Sequence, residues 1–253
     1  MFIGYPKSGH SIIGSLIDAH RNAIIAHEYN VIGKIQTFKN RNDLFKQLYR
    51  QSATYAKKSK GGHFYAIDSQ WNGNIPTGHD IQIIGDKRGG TTSELLTNHQ
   101  IIDVRMKAIM KLTGVPIKLI HVIRNPFDVI ASIERDLASR RSSAGNFFFN
   151  NCKNNIEIKN YVDQNNSDIE LLEFRHENFV INPEKYMQEI CNYLNLPVYD
   201  GYIQDCCSII NRIPSKSRYQ RKWTEKEVKT VHAKIKNYSF LAGYEYTERE
   251  NDE

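Results

Sequence analysis

The chain has 253 residues, 40% hydrophobic and 25% charged, with a formal net charge of +6 at pH 7. That length supports a sizeable core in one α/β domain, and the composition excludes a disordered or fibrous chain. The basic balance fits an anionic ligand or a mildly basic surface. Nucleic acid is the weaker reading, because Lys and Arg are scattered rather than gathered in one arm.

An apolar strand at residues 1–4 leads into Gly4-Tyr5-Pro6-Lys7-Ser8-Gly9-His10-Ser11, and a helix follows over 11–19. The glycine spacing is that of a phosphate-binding loop, but His10 stands where a nucleotide hydrolase carries its lysine, and the basic residue is Lys7 inside the loop. Strand, loop and helix in that order aim backbone N–H groups at an anion on the helix N-terminus. A nucleotide site is expected here, and an ordinary Mg-ATP site is not.

Further strands are predicted at 24–26, 81–85, 117–123 and 169–175, several of them continuous β-branched runs suited to strands buried on both faces. Helical patterns fall at 42–58, 101–113, 126–139, 152–164, 183–194 and 225–236. The alternation predicts a doubly wound α/β fold with a parallel sheet, whose ligand lies beyond the C-terminal strand ends. The loops after Ile3, Ala26, Gly85 and Ile123 should then build the site. Residues 140–146 read as a mobile loop, and 245–253 as a frayed tail of a single domain spanning 1–253.

The fourth strand ends at Arg124, followed by Asn125-Pro126-Phe127-Asp128. Asn125 is a helix cap, Pro126 suits the first position and Asp128 the first turn. Arg124 at the strand edge and Ser132 two turns into the helix form a candidate second phosphate grip.

Cys152, Cys191, Cys206 and Cys207 lack metal-like spacing and read as reduced thiols in a cytoplasmic protein. The immediate strand argues against a secretory leader, and no apolar run approaches the roughly 20 residues needed to span a bilayer. His20, His63, His79, His99, His121, His176 and His232 show no ligand spacing and read as structural.

Together the two phosphate elements resemble the sulfotransferase family. Pro6-Lys7-Ser8-Gly9-His10-Ser11 is similar to its P-K-S-G-T-T signature, with His10 for the first Thr and Ser11 for the second. Arg124, Asn125, Pro126, Asp128 and Ser132 match its Arg-Asn-Pro…Asp…Ser spacing. Residues 177–184, Trp223-Thr224-Glu225 and Leu241-Ala242-Gly243-Tyr244 resemble its later segments. The resemblance implies a three-layer α/β fold with a P-loop-like phosphosulfate-binding loop. It also implies a donor, 3'-phosphoadenosine 5'-phosphosulfate (PAPS), with PAP as product and no metal required.

In that reading Pro6, Lys7, Ser8, Gly9, His10 and Ser11 hold the phosphosulfate, and Arg124 and Ser132 hold the 3'-phosphate. Lys216, Ser217 and Arg218 close over it, although the family's R-K-G motif is absent. Lys7 stabilises the leaving oxygen, and His10 donates where the family has Thr. Glu28, with His27 as the alternative, matches the base of carbohydrate sulfotransferases. Lys87 resembles the lysine of the family's E-K-x-P segment, with Gly89-Gly90 departing from its proline.

The sequence does not identify the acceptor. A small molecule or carbohydrate is expected, met by loops 29–78 and 140–165, whose aromatics suit a sugar, phenol or lipid-like alcohol and equally a hydrophobic core. The loops carry Tyr29, Tyr49, Tyr55, Phe64, Tyr65, Trp71 and Phe147-Phe148-Phe149. Two other readings stay open. One is a P-loop kinase or nucleotide hydrolase with an altered lysine, which needs Mg²⁺ and a strand-end carboxylate. The other is a non-catalytic nucleotide- or nucleic-acid-binding module that keeps Gly9, Arg124 and Ser132 but has no need of Lys7 or Glu28.

Overall fold

Strand β4 (Ile117–Ile123) is the centre of the molecule, and β1 (Phe2–Ile3) and β5 (Ile169–Arg175) pair with it in parallel on either side. The computed structural model describes residues 1–58, 81–136, 144–165 and 168–248. A second parallel ladder joins β2 (Ala23–His27) to β3 (Ile83–Lys87). Among the described residues the strand pairing thus falls into a three-stranded and a two-stranded sheet, with every pair parallel. An apolar cavity of about 990 Å³ lies between them, at the edge where Ile81, Val115 and Pro116 enter the strands and opposite the strand-end loops.

Alternating residues of β4 serve two layers. Ile120 and Val122 pack with Ile13, Leu16 and Ile17 of α1 (His10–Asp18) and with Met187 and Ile190 of the later helix at Pro183–Tyr193. Ile117 and Leu119 pack on the opposite face with Leu44, Met106 and Tyr161. Side chains that point alternately up and down a strand produce this three-layer arrangement, and the β-branched run suits a strand covered on both faces. The result is an α/β fold with parallel sheets.

Between β2 and β3 lie α2 (Val31–Lys34) and α3 (Arg41–Lys58). After β3 come α4 (Gly89–Leu95) and α5 (His99–Thr113). Asn98 caps α5 by accepting the Ile101 N–H at 3.0 Å, and Gly114 ends it in the left-handed conformation at φ 68°. Beyond β4 are α6 (Pro126–Asp136) and α7 (Ala144–Gln164). Then follow α8 (His176–Ile181), α9 (Pro183–Tyr193), α10 (Asp200–Ser208) and α11 (Glu225–Ile235).

The helix expected at 152–164 begins at Ala144, because Phe148, Phe149 and Cys152 join a third apolar cluster with Tyr5, Phe127 and Leu241. Residues 144–146 of the expected mobile loop therefore open α7, and 140–143 lie outside the described residues. So do 249–253 of the tail, whereas the Thr247 hydroxyl accepts from Arg218 Nη2 at 3.2 Å. Strand β3 starts two residues later than expected and runs to Lys87. Helices α2, α4, α8 and α10 are absent from the sequence reading; all four are nine residues or fewer, too short for periodicity to declare them.

Candidate active site

Strands β2 and β3 run in register, so Ala26 pairs with Asp86 and His27 with Lys87 at their C-terminal ends. Glu28, one residue past β2, is therefore delivered beside Lys87. Its N–H donates to the Lys87 carbonyl at 3.1 Å, and Lys87 Nζ donates back to Glu28 Oε1 at 2.6 Å. The same ammonium donates to Ser11 Oγ at 3.0 Å, linking the first turn of α1 to this carboxylate. The Lys87 side chain is only 2% exposed, while Glu28 is 43% exposed and open to solvent. Burial pulls the Lys87 pKa down, and Glu28 acts against that shift. Gly14 makes the arrangement possible: a Cβ there would meet Lys87 Cγ at 2.5 Å.

Asp86 and Arg88 hold the turn that carries Glu28. The buried Asp86 carboxylate accepts the N–H groups of Tyr29, Asn30 and Val31 at 2.9, 2.7 and 2.9 Å. Arg88 Nη1 donates to the Glu28 carbonyl at 2.9 Å. So gripped, Glu28 sits in the left-handed region at φ 55°. Its neighbour His27 stacks on Tyr55 with ring centroids 3.6 Å apart. Burial, followed by the charge of Lys87, lowers the His27 pKa to about 3 and keeps the imidazole neutral. Both candidate bases thus stand at one strand end.

The loop at 4–11, expected from sequence to be the anion loop, lies at the adjacent edge. Ser8 is fully buried, and its hydroxyl pairs with His10 Nδ1 at 2.8 Å. Burial first, then Lys87, His27 and Lys7, push the His10 pKa down to about 3. A neutral imidazole therefore replaces the charge that a lysine would bring. Pro6 is half-buried beside Gly90, and Gly9 caps α1 at φ 97°. Lys7 itself is in the left-handed region at φ 66°, and its ammonium pairs with Asp136 at the end of α6. That pairing holds the Asp136 carboxyl below its usual range.

His176, read from sequence as structural, packs its ring directly over Gly9, where any Cβ would collide with it. Burial, then Arg124, lowers its pKa to about 3, and its buried Nδ1 has no hydrogen-bond partner among the described residues. Its place immediately after a predicted strand end was the available signal.

Arg124 is buried between the loop and the C-terminal segment. Its Nη1 donates to the Lys7 carbonyl at 2.8 Å and its Nη2 to the Ser215 carbonyl at 2.9 Å. Asn125 caps α6, its Oδ1 accepting the Phe127 N–H at 3.0 Å. The Asn125 N–H donates to Glu177 Oε1 at 2.8 Å, and Glu177 Oε2 accepts the Tyr244 hydroxyl at 2.7 Å. Three segments distant in sequence therefore meet behind Arg124.

Ser132 is buried on α6. A crevice of about 370 Å³ separates the helix there, at Ala131 and Arg135, from Ser217 and Gln220. Lys216 is exposed over the Tyr219 ring, and Ser217 is buried. Arg218 is committed elsewhere: its N–H and Nη1 donate to the two Asp128 oxygens at 2.8 and 2.6 Å, within a buried ion pair.

Two clusters result. Lys87 gathers Ser11, Glu28 and, through neighbouring charge, His10 and His27. Arg124 gathers the Lys7 backbone and the 215–218 segment. Among the described residues there is no cluster of three His, Cys, Asp or Glu side chains able to hold a metal. Of the aromatics expected to meet an acceptor, Phe64, Tyr65 and Trp71 lie outside the described residues, as do His63 and His79.

The architecture is similar to that of a sulfotransferase domain from the curacin biosynthetic pathway, at 12% identity over 94% of this chain and 96% of that one, with a TM-score of 0.50. A sulfotransferase from Alicyclobacillus acidocaldarius is 14% identical, covering 97% of this chain and 96% of that chain, with a TM-score of 0.47. The sulfotransferase domain of the Synechococcus PCC 7002 olefin synthase is 17% identical over 87% and 82%, with a TM-score of 0.48. No curated protein matches the chain in sequence. Residues 1–200, which carry the anion loop, Lys87, Arg124 and Glu177, match the model of the sulfotransferase family, and the chain belongs to that family.

Proposed function

We propose that this protein transfers the sulfuryl group of PAPS to a hydroxyl or amine of a small-molecule or carbohydrate acceptor. The acceptor atom bonds to sulfur as the bond from sulfur to the bridging oxygen breaks. PAP leaves with that electron pair, and the acceptor proton passes to Glu28. The observation that carries the reading is Lys87, whose ammonium joins Ser11 of the anion loop to the Glu28 carboxylate. In this reading the base and the anion-binding turn share one strand edge.

The residues present fit the donor's two anionic ends. Loop residues Pro6 to Ser11 would receive the phosphosulfate, and Arg124, Ser132, Lys216 and Ser217 the 3'-phosphate. Lys7 exchanges Asp136 for the charge that develops on the leaving oxygen. Arg218 contributes by tying its segment to Asp128. The anionic groups are met by N–H donors, lysines and Arg124, so the reaction needs no metal. No described helix is long and apolar enough to cross a membrane. The four cysteines are free, and a reducing, cytoplasmic setting is the one proposed for them.

Thermal unfolding with PAP, with PAPS and with Mg-ATP tests this reading. Saturating PAP and PAPS raise the midpoint, by linkage worth about 2.7 kcal/mol at a hundredfold excess over Kd, and Mg-ATP has little effect. Stabilisation by Mg-ATP without PAP would transfer the site to a kinase or hydrolase.

A further inference from the structure

A chain of buried side chains crosses the core and ends on the first N–H of the anion loop. The Gly4 N–H donates to Ser93 Oγ at 2.8 Å, and the Ser93 hydroxyl donates to Asn155 Oδ1 at 2.6 Å. Asn155 Nδ2 faces His121 Nε2 at 3.4 Å, and His121 Nδ1 faces Glu173 Oε1 at 3.0 Å. Glu173 Oε2 is paired with Lys159. Ser93, His121 and Asn155 are each at most 1% exposed.

Only one assignment of hydrogens satisfies every contact with the amide placed this way. The carboxylate can only accept, so His121 carries its proton on Nδ1. Its Nε2 then accepts from the Asn155 amide, whose oxygen accepts from Ser93, whose oxygen accepts from Gly4. Every donor points the same way, from the loop toward the Glu173 charge. A unidirectional chain of this kind polarises each member and strengthens its neighbours in the low-dielectric interior. Burial raises the Glu173 carboxyl, yet its hydrogen bonds to His121 and Lys159 work against burial, and it lies below its ordinary range.

The consequence falls on the loop. Gly4 is the hinge between β1 and the anion site, at φ 133°, and a Cβ there would press on the His121 ring at 3.3 Å. Turning the Gly4 N–H inward onto Ser93 sets the direction in which the following residues leave the strand. We propose that Ser93, Asn155 and His121 are positioning residues for the anion loop, holding it open to the donor's phosphosulfate through the Gly4 N–H. The proposal rests on the sulfotransferase reading of that loop.

The test pairs PAP binding by calorimetry with amide hydrogen exchange of residues 4–9, in the full chain. Ser93→Ala removes the acceptor for Gly4, and Asn155→Leu breaks the chain one link further back. Thr113→Ala is the control: this buried hydroxyl also makes one internal hydrogen bond, to the Ile109 carbonyl, away from the loop. Ser93→Ala is expected to weaken PAP about tenfold, the scale of one buried hydrogen bond, and to speed loop exchange by a similar factor. Asn155→Leu moves both readouts the same way, and Thr113→Ala moves neither.

The double variant Ser93→Ala/Asn155→Leu costs less than the sum of the two singles, because both break one chain. PAP affinity and loop exchange within twofold of wild type in folded Ser93→Ala overturn the proposal. So does equal weakening by Thr113→Ala. If the wild-type protein binds no PAP, the donor assignment falls, and the exchange measurement alone still decides whether Ser93 positions the loop.

Discussion

The Tyr5 hydroxyl grips both main-chain polar groups of Arg124: it accepts the Arg124 N–H at 3.0 Å and donates to the Arg124 carbonyl at 3.3 Å. Arg124 returns the contact through the Lys7 carbonyl. The two segments proposed to hold the donor's anions are thus fastened to one another.

Tyr5→Phe keeps the ring and leaves a buried main-chain N–H without its partner. The expected loss is about 1–3 kcal/mol in urea unfolding, with weaker PAP binding from the loosened Arg124. Unchanged stability and affinity would show the bridge to be incidental.

Arg218→Met strands the buried Asp128 carboxylate. Breaking one partner of a buried pair costs about 3–5 kcal/mol, whereas Arg218→Met with Asp128→Leu recovers most of it. Denaturant midpoints of the two singles and the double measure this directly. A double variant as unstable as the single would assign the loss to packing instead.

Gly14→Ala inserts a methyl against the Lys87 stem and pushes the ammonium from Ser11 and Glu28. Release of PAP from PAPS in the presence of acceptor should fall about tenfold or more, since small displacements of catalytic groups carry large penalties. PAP affinity should shift little. Equal loss in both would place Lys87 in donor binding rather than in the reacting cluster.

Lys7→Ala removes the cation assigned to the leaving oxygen. Turnover is expected to drop about 10²–10³-fold, as for other lost transition-state donors, with PAP binding partly kept. Unchanged turnover would sink the catalytic role of Lys7.

Acid should destabilise this fold early. His10, His27 and His176 each have a folded-state pKa of about 3, against 6.5 when unfolded, so the unfolded chain binds their protons first. Their stability is present above pH 6.5 and is lost as pH falls toward 3. Asp18 works the other way: burial raises its pKa to about 6, so the folded state holds that proton between roughly pH 4 and 6 and offsets one histidine. Unfolding midpoints should decline from pH 7 to 5, and His176→Gln should flatten the decline. A flat profile in the wild-type protein would contradict the buried neutral histidines.

Sequence alone specified the β4 and β5 spans, most helices and the parallel α/β class, and it carried the two motifs proposed to hold anions, because these depend on local periodicity, caps and spacing. It placed Glu177 and Tyr244 in segments that resemble the family's, with no role for either. Only the tertiary structure decided which groups meet. Lys87 reaches Glu28 across 59 positions because β2 and β3 pair in register. Arg218 is drawn to Asp128 across 90, and Gly4 to Ser93 across 89. The partners of a buried charge or N–H are chosen by whichever element the fold brings alongside, and no local pattern records that choice.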